Sequence, residues 1–255
     1  MIRKAIFIFS FGIFFANTSN ERLITIGGSI TDIVFDLGLG DKVIAVDISS
    51  VSPPSVKKLP QVGYIRGISA EGILSMMPSR ILTTTDMGPP NVVSQIKKSG
   101  VDIHIFKSPS SFEDILSLVD EIANLYNIKE RGSLLKQEMI NYRDRILDIK
   151  SSYTYEPSIA LFMNPAFGVY PAAGGNTRAD YLINFIGGKN IFSEKFDKYR
   201  KVDKESIVAL NPDIIIIGTT MGQDITNFKA HIEGGSEFKS ISAVSSGTSD
   251  LKELF

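Results

Sequence analysis

The chain has no cysteine, no tryptophan and only two histidines, His104 and His231, in 255 residues. Without cysteine there is no disulfide, so an exported form must rest on its core alone. There is also no acceptor for a lipoprotein anchor. Two histidines nearly exclude a multi-histidine metal cage. Common catalytic kits are missing too. The chain contains no Gly-x-Ser-x-Gly elbow, no phosphate loop ending in Gly-Lys-Ser/Thr, and no Gly-x-Gly-x-x-Gly after a strand. A net charge of −1 gives no support for a nucleic-acid surface.

Apolar residues make up 43% of the chain, enough to core one large domain or two lobes. The N-terminus is read as delivery rather than fold. Arg3 and Lys4 precede an apolar run over 5–16, and polar residues follow at 17–20. That is the layout of a secretory signal peptide, assigned to 1–19, and the run is shorter than the ~20 residues of a membrane span. The alternative, an N-terminal membrane anchor, is disfavoured on that length. No other stretch approaches a span, so a diffusing periplasmic protein that is not a lipoprotein is expected.

Apolar spacing then predicts strand 22–26, helix 30–37, strand 43–46, helix 70–77 with Ser69 as N-cap, strand 80–83, helix 92–98 and strand 101–106. This alternation argues for α/β with a mainly parallel sheet. An amphipathic helix over 112–126 and a long charged one over 129–150 follow, interrupted at Asn127. We read an N-terminal lobe over 20–126, a linking spine helix over 127–152 and a C-terminal lobe over 153–255. The second lobe repeats the first. Gly28 and Gly40 are as far apart as Gly175 and Gly187, and Glu71 precedes Pro78 by the same interval as Glu205 precedes Pro212. The plainer alternative is that helix, proline, strand phrases recur in any α/β protein. Residues 221–255 are polar and rich in Ser and Gly, with no strong closing helix.

Lack of a catalytic kit in an exported two-lobe chain favours capture of a ligand, and such sites commonly lie between domains. The sharpest candidate is Tyr64, in Val62-Gly63-Tyr64-Ile65-Arg66-Gly67. A phenolate is a hard oxygen ligand for ferric iron, and tyrosine is a known axial ligand of haem. A phenol ordinarily loses its proton near pH 10, and an adjacent guanidinium favours the phenolate. In an extended segment Tyr64 and Arg66 project to one side. A half-buried structural tyrosine is the alternative. Gly174-Gly175-Asn176-Thr177 at a helix start reads either as an anion-binding turn or as a tight turn alone. Glu71 and Glu205 each open a helix, where the dipole already favours a carboxylate.

Residues 59–75, from Leu59-Pro60-Gln61 through Tyr64-Ile65-Arg66 to Glu71-Gly72, resemble the signature of periplasmic haem-binding proteins that feed bacterial haem ABC importers. The likeness runs from about Glu21 to Gly218 and includes Gly174-Gly175-Asn176-Thr177-Arg178. The resemblance implies two α/β lobes joined by one long spine helix, as in class III periplasmic binding proteins, with modest interlobe motion. It implies haem b as cargo and Tyr64 as axial ligand of its iron, with Arg66 in support. Arg178 either faces a propionate or plays an ordinary helix N-terminal role. Glu71 and Glu205 would pair with arginines of an inner-membrane permease dimer, and the protein would be a monomer and not an enzyme. Some relatives add a histidine from the second lobe, but His104 sits in a strand pattern and His231 in the polar C-terminal part. A single ligand from Tyr64 is therefore expected, with Met163 and Tyr170 as outside candidates. The same-fold alternative is a corrinoid or ferric-siderophore binder, and the different-class alternative is an exported α/β enzyme.

Overall fold

A computed structural model describes residues 21–166 and 168–218, together with Gly235, Phe238 and Ile241. The expected signal peptide, His231 and most of 219–255 lie outside the described residues.

The N-terminal lobe is built in chain order from β1 (Leu23–Ile26), α1 (Gly28–Asp36), β2 (Val43–Val46), α2 (Ala70–Leu74), β3 (Arg80–Thr84), α3 (Pro90–Lys98) and β4 (Asp102–Phe106). The strands pair in the order β2-β1-β3-β4, all parallel. All four residues of β1 are buried, as expected of a central strand covered on both faces. Alternation divides them. Leu23 joins Ile30, Val34, Leu82 and Leu118 on one side, whereas Ile24 and Ile26 join Ile73, Ile81 and Ile96 on the other. Helix α2 stops at Leu74, short of the expected 77. Met77 has φ 48, and a residue before proline disfavours the helical region.

Two helices follow, α4 (Phe112–Leu125) and α5 (Lys129–Ser151). Ser111 caps α4 by accepting from the Asp114 N–H at 3.1 Å, and Asn127 turns the chain with φ 56. The 23 residues of α5 extend about 35 Å. Its first half packs Leu135 and Met139 on the N-lobe core. There Gly132 allows close approach, because a Cβ would lie 2.6 Å from that of Ala123. Its far end reaches the other lobe, where Lys150 Nζ donates to the Asn184 carbonyl at 2.9 Å.

The C-terminal lobe comprises β5 (Ser158–Met163), β6 (Tyr170–Ala173), α6 (Arg178–Phe185), β7 (Lys189–Asn190), β8 (Tyr199–Val202), α7 (Lys204–Leu210) and β9 (Ile214–Gly218). Strands β7 and β9 flank β5 in parallel, just as β2 and β3 flank β1. The repeat read from the glycine and Glu-to-Pro intervals is therefore architectural. The lobe differs in one respect: β6 is antiparallel to β5 and β8 antiparallel to β6. The connection 164–169 is too short for a parallel crossover, and Asn164 (φ 46) and Gly168 (φ 71) turn it back. Phe238 and Ile241 are both fully buried in this lobe's core, Phe238 edge-on to Tyr170 at 6.0 Å. The C-terminal stretch thus supplies core residues despite its polar composition.

Helix α1 carries Asp32 and Asp36 one turn apart, and Asp36 feels the charge of Glu138 on α5. Burial, then the charge of Asp36, raises the Asp32 carboxyl pKa to about 6. Asp36 is raised by burial and then by Glu138. Because the folded-state value exceeds the unfolded one, the stabilising contribution is fully present below the unfolded pKa, near 3.8. It is lost as pH rises through about 6. Replacing Asp32 with Asn is expected to stabilise the fold by about 1 kcal/mol at pH 7, after allowance for solvent screening, and by little at pH 4. Urea unfolding at the two pH values checks this.

Candidate ligand-binding cleft

In parallel α/β sheets, ligands meet the loops beyond the carboxyl ends of the strands. In the N-terminal lobe those loops converge on Asp47, just past β2. Its carboxylate is fully buried and accepts from the Gly27 N–H (2.8 Å), the Ser49 N–H (3.2 Å) and the hydroxyls of Ser49 (2.5 Å) and Ser50 (2.7 Å). A buried carboxylate is costly without such donors. Ser50 Oγ continues to Thr31 Oγ1 (2.7 Å), and Thr31 to Thr25 (2.8 Å). One group therefore ties together the β1–α1 turn, the start of α1 and the loop after β2.

The next residue carries this rigidity to Tyr64. Ile48 N–H donates to the Gly63 carbonyl (3.0 Å), and Val62 N–H to Val46 (2.9 Å). Gly63 has φ 102, a conformation open to glycine. The chain then turns. Gly67 N–H donates to the Tyr64 carbonyl at 2.7 Å, so 64–67 is a tight turn and not the extended segment expected from sequence. The reason is packing: Ile65 and Ile68 are both buried in the N-lobe core and draw the backbone inward between two glycines. Tyr64 is left 48% exposed, and its hydroxyl has no hydrogen-bond partner among the described residues.

Arg66 leaves the same turn, and its Nη2 lies 3.7 Å from Asp86 Oδ1. Asp86 sits in the loop after β3. Backbone bonds from Gly88 N–H to Ile65 (2.9 Å) and from Ile68 N–H to Gly88 (3.2 Å) lace that loop to the Tyr64 turn. Asp86 Oδ2 accepts from Ser108 Oγ at 2.5 Å. Ser108, beyond β4, in turn accepts from Arg178 Nη2 at 3.3 Å, and the Pro109 carbonyl accepts from the same nitrogen at 3.2 Å. Arg178 is the first residue of α6, so this chain of polar groups crosses from lobe to lobe. Beside it the Phe112 N–H donates to Tyr181 Oη (3.2 Å), and Arg143 of α5 lies over the Phe112 ring at 5.1 Å. Burial pushes the Tyr199 hydroxyl pKa up, opposed by the charge of Arg178.

Tyr64, Arg66 and Arg178 thus belong to one linked region. Asp86 and Ser108, which connect them, carry no motif. Their signal is only a polar residue just past the end of a buried strand. Other candidates lie elsewhere. His104 sits within β4, its Nε2 3.0 Å from Asp102 Oδ1. Tyr170 is buried against Phe162 and Phe238, and Met163 packs on Gly218. Gly174 and Gly175 admit the 192–197 loop, since a Cβ on either would collide with the carbonyls of Phe196 and Ser193. Thr177 caps α6 by accepting from the Asp180 N–H at 3.0 Å, which favours the tight-turn reading of that segment. Glu71 and Glu205 are exposed in the first turns of α2 and α7, capped by Ser69 and Asp203.

Residues 23–248 match the family model of periplasmic binding proteins. Among solved structures, the periplasmic haem-binding protein RhuT from Roseiflexus sp. RS-1, in apo form, is similar at 27% identity and a TM-score of 0.81, over 89% of this chain and 86% of that one. A periplasmic haem-binding protein from Pseudomonas aeruginosa is similar at 26% identity and a TM-score of 0.79, over 88% and 80%. Among curated proteins, the vitamin B12-binding protein of Yersinia pestis (strain Pestoides F) is 27% identical over 205 residues, 80% of this chain and 71% of its own length.

Removing the buried acceptor leaves four donors unmet around Asp47. Asp47→Ala is expected to cost about 3 kcal/mol of stability, read as a lowered urea midpoint at unchanged slope.

Proposed function

The chain belongs to the periplasmic binding protein family, and from that premise we propose that it captures haem between its two lobes and hands it to an inner-membrane ABC importer. The observation that carries this reading is the Tyr64 phenol, exposed and without a hydrogen-bond partner among the described residues, on a turn that two buried isoleucines pin. Such a group suits ferric iron, and Arg66 leaves the same turn toward Asp86. Arg178, reaching across from the second lobe, would meet a haem propionate. The solved haem-binding relatives, at 27% and 26% identity, support this cargo.

Glu71 and Glu205 would dock the two lobes on a permease dimer. Their matching places before β3 and β9, strands that pair alike with β1 and β5, support this. The lobes are taken as 20–126 and 153–255, joined by the spine over 127–152. The protein acts as a monomeric carrier and not as an enzyme. Residues 1–19 would be its export signal. The second reading is a corrinoid carrier, favoured by the 27% identity to a vitamin B12-binding protein.

Adding hemin to the purified mature chain is expected to give a Soret band of high-spin tyrosinate type. Tyr64→Phe should lose that spectrum and weaken binding by at least about tenfold, or 1.4 kcal/mol. An unchanged spectrum and affinity would remove Tyr64 from the iron. For docking, Glu71→Lys with Glu205→Lys should cut uptake into importer proteoliposomes while hemin affinity stays at the wild-type value. Normal uptake would refute the docking role.

A further inference from the structure

Asp86 stands where four cleft elements meet, and nothing in the reading above uses it. Its two oxygens are divided: Oδ1 faces Arg66 of the Tyr64 turn at 3.7 Å, and Oδ2 accepts a hydrogen bond from the Ser108 hydroxyl at 2.5 Å. Ser108 then accepts from Arg178 of the other lobe at 3.3 Å. Neither arginine has a close carboxylate of its own among the described residues. Arg66 is paired only at this long distance, and Arg178 makes no ion pair among the described residues, its two hydrogen bonds going to neutral oxygens. One carboxylate is therefore linked to guanidiniums of both lobes, facing Arg66 directly and reaching Arg178 only through the Ser108 hydroxyl. The Arg66 side chain is 66% exposed and that of Asp86 37%, so the pairing is largely hydrated and easily exchanged. The loop is itself held to the Tyr64 turn by two backbone bonds through Gly88.

We propose that Asp86 is a positioning residue that stands in for the cargo's carboxylates, holding Arg66 directly and Arg178 through Ser108 until those carboxylates displace it. This rests on the haem reading, because haem brings two propionates. Asp86 then repels the arriving acid groups and competes for their partners, so it lowers affinity for a dicarboxylate cargo and keeps release easy. A cargo without carboxylates makes no claim on the arginines and is indifferent to Asp86. The residue thus tunes one chemical feature of the ligand rather than the metal bond.

The test compares hemin with hemin dimethyl ester, whose propionates are capped. Asp86→Asn keeps the shape and a hydrogen-bond acceptor but removes the charge. It is expected to bind hemin about threefold to tenfold tighter and the ester within about twofold of wild type. In an Arg66→Ala background the gain should shrink, as a double-mutant cycle requires. Asp86→Glu should restore the wild-type value. If Asp86→Asn does not fold, Asp86→Ser carries the same expectations. Hemin affinity unchanged or weakened in a variant of wild-type thermal midpoint, or an equal gain for the ester, overturns the proposal while leaving the haem reading intact. Failure of the wild type to bind hemin overturns both.

Discussion

Asp47 is a carboxylate sealed inside the N-terminal lobe, and it must be met by donors wherever the chain goes around it. Four answer it, from the β1–α1 turn and from the loop beyond β2. That requirement sets where α1 begins, at Gly28, and how the chain leaves β2. Through Ile48 and Gly63 it also sets the height of the Tyr64 turn above the sheet. The turn beneath Tyr64 is thus anchored through an electrostatic requirement. The exposed phenol stands on it because Ile65 and Ile68 bury themselves beneath.

Much of this was legible in the sequence, for identifiable reasons. Unbroken apolar strands such as 23–26 and the Ser69 cap are local chemistry and appear where expected, whereas the Ser111 and Thr177 caps emerge only in the structure. The long charged run gave α5 almost to the residue. The equal Gly and Glu-to-Pro intervals anticipated that β7-β5-β9 would copy β2-β1-β3. What escaped depends on contacts distant in sequence. The antiparallel β6 and β8 follow from a short reversal whose strands look like any others. The turn at 64–67 overrides an extended pattern because two isoleucines find the core. Asp86 and Ser108 lie in two loops and Arg178 opens α6 of the other lobe, and only the fold brings the three together.

The functional account joins these parts. The spine joins the two lobes, packing Leu135 and Met139 on one and bonding Lys150 to the other. Across the gap the polar chain from Arg66 to Arg178 keeps cationic groups of both lobes near one another. On the proposed reading the Tyr64 phenol would serve iron and the guanidiniums acid groups, a set that would suit a metalloporphyrin. The central claim is therefore about cargo. Titrating the mature chain with hemin and with cyanocobalamin side by side, by calorimetry, tests it most directly. The account predicts that hemin binds and that cobalamin neither binds nor displaces it. Saturable cobalamin binding with hemin inert would contradict it.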